Sequence, residues 1–112
     1  MLPSTLKYTL IFRTNCGFCE LAKELLTELN IKVNFINTED MDTKIVKQLQ
    51  DKYNHRTYPM IFLDKFIGGY SDLFEKNKNE QERKKMINNY KQYKEANEDV
   101  EVKAINKEEN KV

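Results

Sequence analysis

The sequence is poor in the residues that define several common classes of protein. Its 112 residues include only two cysteines, two prolines, three glycines and one histidine, and it has no tryptophan. Two cysteines are too few for the disulfide framework of a small secreted domain, and with a single histidine they cannot complete a four-ligand structural zinc site. No apolar run approaches the ~18 residues of a membrane-spanning helix, so we expect no membrane partner.

Charge is abundant but nearly balanced, with 19 Lys and Arg against 18 Asp and Glu. A formal net charge of +1 argues against a dedicated nucleic-acid binder. The start of the chain lacks the basic and apolar regions of a signal peptide, so we expect a cytoplasmic protein. The length predicts one domain. We assign residues 1–96 to it, with a core at about 6–75 and then a charged helical region, and residues 97–112 to a polar, flexible tail.

The hydrophobic pattern predicts an α/β fold in which strands and helices alternate. Predicted strands occupy residues 7–12, 33–36, 60–63 and 66–67. The first predicted helix follows the cysteine pair, the second is capped by Asp42 or Thr43, the third begins at Ser71 or Asp72, and the fourth covers residues 80–96. Leu21 and Ile45 belong to the apolar stripes of the first two helices. A strand–helix–strand unit followed by a hairpin predicts a mixed four-stranded sheet with helices on both faces.

The two cysteines form the motif Cys16-Gly17-Phe18-Cys19 between the first strand and the first helix. At a helix N-terminus, free N–H groups and the helix dipole stabilise a thiolate, so we expect the pKa of the Cys16 thiol to lie below the ~8.5 of free cysteine. Arg13 adds positive charge nearby. Cys19 lies one helical turn further and can close a disulfide with Cys16. The pattern therefore predicts a redox-active dithiol rather than a helix that happens to begin with two buried thiols.

Three separated motifs resemble those of the glutaredoxins, small members of the thioredoxin-like superfamily. They are Cys16-Gly17-Phe18-Cys19, Arg56-Thr57-Tyr58-Pro59 and Gly68-Gly69-Tyr70-Ser71-Asp72-Leu73. Each is weak alone, since the second is also typical of a loop entering a strand and the third of a simple turn. Their shared order and spacing over roughly residues 6–75 are specific. The resemblance implies the thioredoxin-like fold and glutathione as the reducing co-substrate.

The resemblance also implies roles for the matching residues, with Cys16 as nucleophile and Cys19 as resolving thiol. A cis bond before Pro59 would present the Tyr58 backbone as an edge for the extended glutathione peptide. One glutathione carboxylate would rest on N–H groups at the helix start, and the other on Arg13 or Arg56. The complete implied glutathione site comprises Arg13, Phe18, Arg56, Thr57, Tyr58, Pro59, Gly69, Ser71 and Asp72.

Other positions depart from the family pattern or invite a second interpretation. Tyr58 replaces the usual valine and is expected to crowd the groove. Gln50 or Asp51 lies where many members use a glutamine toward glutathione, and an acid there would weaken that contact. His55 is interpreted as a surface loop histidine rather than an acid or base.

Two functions of different classes remain open from the sequence. The first is an enzyme that reduces protein disulfides and protein–glutathione mixed disulfides, acting as a monomer, with ribonucleotide reductase as one candidate partner. The second is a module in which Cys16 thiolates from two chains, with two glutathiones, hold an iron–sulfur cluster. The Gly17-Phe18 pair favours the cluster, whereas Cys19 disfavours it because it can trap Cys16 as a disulfide. A thioredoxin-type reductant served directly by a flavoprotein is a third, minor alternative.

Overall fold

The computed structural model describes residues 7–96, which contain four strands and four helices in the predicted order β-α-β-α-β-β-α-α. The strands are β1 (Tyr8–Phe12), β2 (Asn34–Asn37), β3 (Met60–Leu63) and β4 (Phe66–Gly68), and the helices are α1 (Gly17–Glu28), α2 (Thr43–Tyr53), α3 (Tyr70–Lys78) and α4 (Glu80–Ala96). A short 3-10 turn at Thr38–Asp40, which the sequence pattern did not predict, precedes α2. Within the described part of the chain, no helix is both long and apolar enough to cross a membrane. The tail predicted at residues 97–112 lies outside the described residues.

The strands form one mixed sheet in the order β2-β1-β3-β4. β1 pairs in parallel with β2, because α1 returns the chain to the same end of the sheet, and it pairs antiparallel with β3. β3 and β4 form the closing antiparallel hairpin. The predicted mixed four-stranded sheet is therefore confirmed.

Alternating side chains of the central strands build a separate core on each face of the sheet. One core joins α1, α3 and α4 to the sheet through the buried residues Tyr8, Leu10, Ala22, Leu26, Ile31, Ile61, Leu63, Leu73, Met86 and Tyr90. The other core joins α2 to the opposite face through Ile11, Leu49, Met60 and Phe62. Helices therefore cover both faces of the sheet. The two cores fix the C-terminal end of β1 and the N-terminal end of β3, which lie together at the edge where the cysteines are.

Some predicted details of the helices are wrong. Leu21 and Ile45 are 43% and 44% exposed, although both were expected on buried stripes. Successive helical residues are about 100° apart, so only the centre of a stripe touches the sheet and its rim stays in solvent. The third helix begins at Tyr70, with Gly69 as its N-cap, rather than at Ser71 or Asp72. The cap at Asp42 is confirmed, since its Oδ1 accepts the Lys44 N–H at 2.8 Å.

Candidate active site

Cys16 is the N-cap of α1, directly after the turn that leaves β1. Its backbone is extended, with φ −115° and ψ 106°, and the helix begins at Gly17 as predicted. Its Sγ accepts the backbone N–H of Cys19 at 3.2 Å. The helix start therefore already directs a donor at this sulfur, and in the reduced protein the same donor would stabilise a thiolate. Apart from the chain neighbours and the adjacent backbone of α1, no atom lies within 4 Å of the position that a Cβ of Gly17 would take, so the approach is open.

The two cysteines are joined by a disulfide, which confirms that their spacing allows one. Their Cα atoms are 5.2 Å apart, within the usual range for disulfides. Cys19 is fully buried, whereas Cys16 is partly exposed. An incoming thiolate must reach the sulfur that it attacks. Of the two sulfurs, that of Cys16 is therefore the one that another molecule can reach.

The loop before β3 lies opposite the disulfide. The Tyr58–Pro59 peptide bond is cis, as predicted. The Tyr58 carbonyl oxygen is 3.7 Å from Cys16 Sγ, so this backbone edge faces the reactive sulfur. The Tyr58 ring packs with the core on the α2 face, and its hydroxyl accepts a hydrogen bond from Gln50 Nε2 at 3.3 Å. Part of the ring that was expected to crowd the groove is therefore held against α2.

The turn between β4 and α3 forms the next part of the site. Gly68 has φ +119°, a conformation that favours glycine, and a Cβ there would collide with the Asp72 carboxylate. That carboxylate accepts the Gly69 N–H at 2.9 Å and fixes the start of α3. The first N–H groups of a helix lack partners within it. The N-terminus of α3, at Tyr70 and Ser71, is thus oriented as a place for an anion.

Replacing Gly68 with alanine is expected to disrupt this turn. The positive φ and the collision with Asp72 together predict a loss of about 1–3 kcal/mol in the free energy of unfolding. Gly17→Ala is the matched control, because it fills open space in a helix and should change stability by less than ~1 kcal/mol. Urea denaturation of both variants measures the difference. Equal stability of the two variants would contradict the described geometry of the turn.

These segments enclose a cleft of about 300 Å³ beside the disulfide. It is lined by Phe18, His55, Thr57, Tyr58, Gly69, Tyr70, Ser71 and Asp72. Phe18, 61% exposed, stacks on Tyr70 with ring centroids 6.2 Å apart and borders one side. His55 and Tyr70 are lining residues that sequence reasoning did not assign to the site. The available signal was that His55 directly precedes the second motif and that Tyr70 lies within the third.

Three residues of the predicted glutathione set do not line the cleft, namely Arg13, Arg56 and Pro59. Arg56 instead donates a hydrogen bond to Asp51, an ion pair that holds the pKa of this carboxyl below its ordinary value. Arg13 is exposed just beyond β1. Pro59 is fully buried and sets the path of the loop through the cis bond that precedes it. Among the described residues, the cleft therefore has no lysine or arginine in its lining.

Side chains that could bind a metal ion are not clustered in the described part of the chain. No three side chains among its His, Cys, Asp and Glu residues are arranged to hold a metal ion. The Cys16 sulfur is bonded to Cys19.

Comparisons with known proteins agree with this fold. The sequence profile of the glutaredoxin family matches residues 7–67. Holo glutaredoxin C1 from Populus tremula x tremuloides is 20% identical, with a TM-score of 0.66 over 77% of this chain and 81% of that chain. A buckwheat glutaredoxin–glutathione complex is 22% identical, with a TM-score of 0.64 over 73% and 76%. The dithiolic glutaredoxin from Trypanosoma brucei brucei is 25% identical, with a TM-score of 0.63 over 77% and 97%. No curated protein sequence gives a significant match.

Proposed function

The chain belongs to the glutaredoxin family, and on that premise we propose that it is a glutathione-dependent thiol–disulfide oxidoreductase. One observation carries the proposal. The Cys16–Cys19 disulfide has one accessible sulfur, placed at a helix N-terminus and facing the Tyr58 carbonyl beside an open cleft. A helix start favours a thiolate, and the cleft has room for the molecule whose sulfur it attacks.

The proposed reaction starts with the reduced dithiol. The Cys16 thiolate attacks the glutathione sulfur of a protein–glutathione mixed disulfide, the S–S bond breaks, and the protein leaves as a thiolate that takes up a proton. A second glutathione thiolate then attacks the Cys16–glutathione disulfide, which releases glutathione disulfide and restores Cys16. A flavoprotein reductase returns glutathione disulfide to two thiols.

Protein disulfides require the second cysteine. Here the substrate becomes linked to Cys16 through one sulfur, and Cys19 attacks Cys16 to release the substrate as a dithiol. The product in the enzyme is the Cys16–Cys19 disulfide of the structure. Two glutathiones reduce it again. Burial of Cys19 suits this role, because its only accessible partner is Cys16.

Glutathione is proposed to lie in the 300 Å³ cleft with its backbone along the Tyr58 edge. One carboxylate would accept N–H donors at the start of α3. Engagement of Arg56 by Asp51 leaves it a weaker candidate for the other carboxylate than the motif alone implies. Support for this ligand comes from the fold, which is shared with a buckwheat glutaredoxin solved in complex with glutathione.

A turnover assay tests the proposal. With a glutathionylated peptide, glutathione, a glutathione-specific flavoprotein reductase and NADPH, we expect peptide-thiol release that saturates with peptide and requires glutathione. The control replaces glutathione and its reductase with a thioredoxin-type flavoprotein reductase, which should support little turnover. Activity only in the control would contradict the proposal, and a brown iron–sulfur chromophore in anaerobically purified, inactive protein would favour the cluster-binding alternative.

A further inference from the structure

The His55 side chain lies between the two walls of the cleft. Its Nε2 is 3.2 Å from the Pro59 carbonyl oxygen and 3.3 Å from the Thr57 hydroxyl. Its ring packs edge-on against Phe66, with centroids 5.3 Å apart at 71°. A Cβ placed on Gly69 would be only 3.4 Å from the ring. The imidazole thus contacts the cis-proline loop and lies close to the turn that precedes α3. His55 is in a loop, as interpreted from the sequence, and is half-buried there.

The partners of Nε2 determine where its proton lies. The Pro59 carbonyl can only accept a hydrogen bond, so this bond forms in the tautomer whose Nε2 carries the hydrogen and donates it. The Thr57 hydroxyl oxygen is placed to accept a share of the same hydrogen. This donor therefore connects the residues immediately before and after Tyr58.

We propose that His55 is a positioning residue for the peptide edge of the active site. The inference rests on the proposed function. By holding Thr57 and Pro59, His55 fixes the backbone of Tyr58, whose carbonyl lies 3.7 Å from Cys16 Sγ. A thiol that carries a peptide backbone, as glutathione does, pairs with this edge and is oriented for attack. A thiol without a backbone gains nothing from it.

His55 is therefore a determinant of selectivity between classes of mixed disulfide. Interactions that orient the reacting sulfur change the rate only for substrates that make them. One peptide linked to glutathione and the same peptide linked to cysteamine offer Cys16 the same S–S bond. They differ in whether the thiol bound in the cleft has peptide groups to pair with Tyr58.

Two substitutions separate the hydrogen bond from the packing of the ring. His55→Phe keeps an aromatic ring against Phe66 but removes the donor, whereas His55→Gln restores an N–H donor without the ring. Lys52→Ala, at an exposed position one turn earlier on α2, is the matched control. Each reduced protein is mixed in excess with either substrate, and single-turnover release of peptide thiol is followed against protein concentration, with the melting temperature of every variant recorded.

For the glutathione-linked peptide, we expect His55→Phe to raise the half-saturating concentration and to lower the apparent second-order rate constant by about 3–10-fold, the effect of one lost hydrogen bond. The cysteamine-linked peptide should change by less than about twofold. His55→Gln should recover most of the glutathione-specific loss, and Lys52→Ala should behave as the parent protein.

Equal losses with both substrates, or a glutamine variant as impaired as the phenylalanine variant, would show that His55 only supports the fold and would overturn the inference. The same conclusion follows if the melting temperature falls while the ratio of the two rates is unchanged. Failure of the parent protein to use the glutathione-linked peptide would overturn the proposed function and this inference with it.

Discussion

Cys16→Ser is expected to abolish turnover of every disulfide substrate, with a loss of at least ~10³-fold, as is usual when a catalytic nucleophile is removed. A serine hydroxyl is not ionised near neutral pH and does not exchange with disulfides. Cys16 is the sulfur at the start of α1 that other molecules can reach, whereas Cys19 is fully buried. No second accessible thiol in the chain can substitute for it, because the sequence has only two cysteines.

Cys19→Ser is the matched variant, and it should affect the two proposed activities differently. Reduction of protein–glutathione mixed disulfides needs only Cys16 and a second glutathione, so this activity should remain within about tenfold of the parent protein. Reduction of protein disulfides should fall much further, because the resolving thiol is missing. Steady-state assays with one substrate of each kind measure both effects. Equal losses of both activities would show that the proposed single-cysteine pathway is wrong.

Phe62→Ala is expected to cause the largest loss of stability in the core on the α2 face. Phe62 is fully buried, and its ring contacts those of Tyr53 and Phe66 at centroid distances of 5.7 and 5.2 Å. Removing a buried phenylalanine ring costs about 3–5 kcal/mol, a large share of the ~5–15 kcal/mol that stabilises a typical domain. Because Phe66 also packs against His55, the cleft should lose order together with the core.

Phe74→Ala provides the control for this substitution, since the same atoms are removed from a side chain that is 41% exposed. It should cost less than about 1 kcal/mol. Urea unfolding followed by far-ultraviolet circular dichroism gives both values. Similar destabilisation by the two variants would contradict the assignment of Phe62 to the core.

Hydrophobic runs and capping residues in the sequence predicted those parts of the structure that depend on the conformational preferences of neighbouring residues. The continuous apolar runs of β1 and β3, the cap at Asp42 and the helix start after Cys16 all follow from side chains whose chemistry favours one local conformation. The cap at Gly69 was missed because glycine has no side chain to indicate it. Here the Asp72 carboxylate, three residues later, supplies the bond.

The rest of the site depends on contacts that no local pattern specifies. Asn54 ends α2 in the left-handed conformation, with φ 50°, and the chain then turns so that Arg56 reaches back to Asp51. The motif that contains Arg56 predicts a ligand-binding arginine but does not reveal its ion pair with Asp51. The hydrogen bonds of His55 arise in the same way, because they depend on the path of the loop around the cis bond.

The central claim is that the Cys16 thiolate takes glutathione from a mixed disulfide bound in the cleft. Mass spectrometry of the reduced Cys19→Ser protein, mixed briefly with a glutathionylated peptide and quenched with acid, tests it most directly. We predict one glutathione per chain, joined to Cys16, together with an equal amount of free peptide thiol. Peptide rather than glutathione on Cys16, or no adduct at all, would contradict the account.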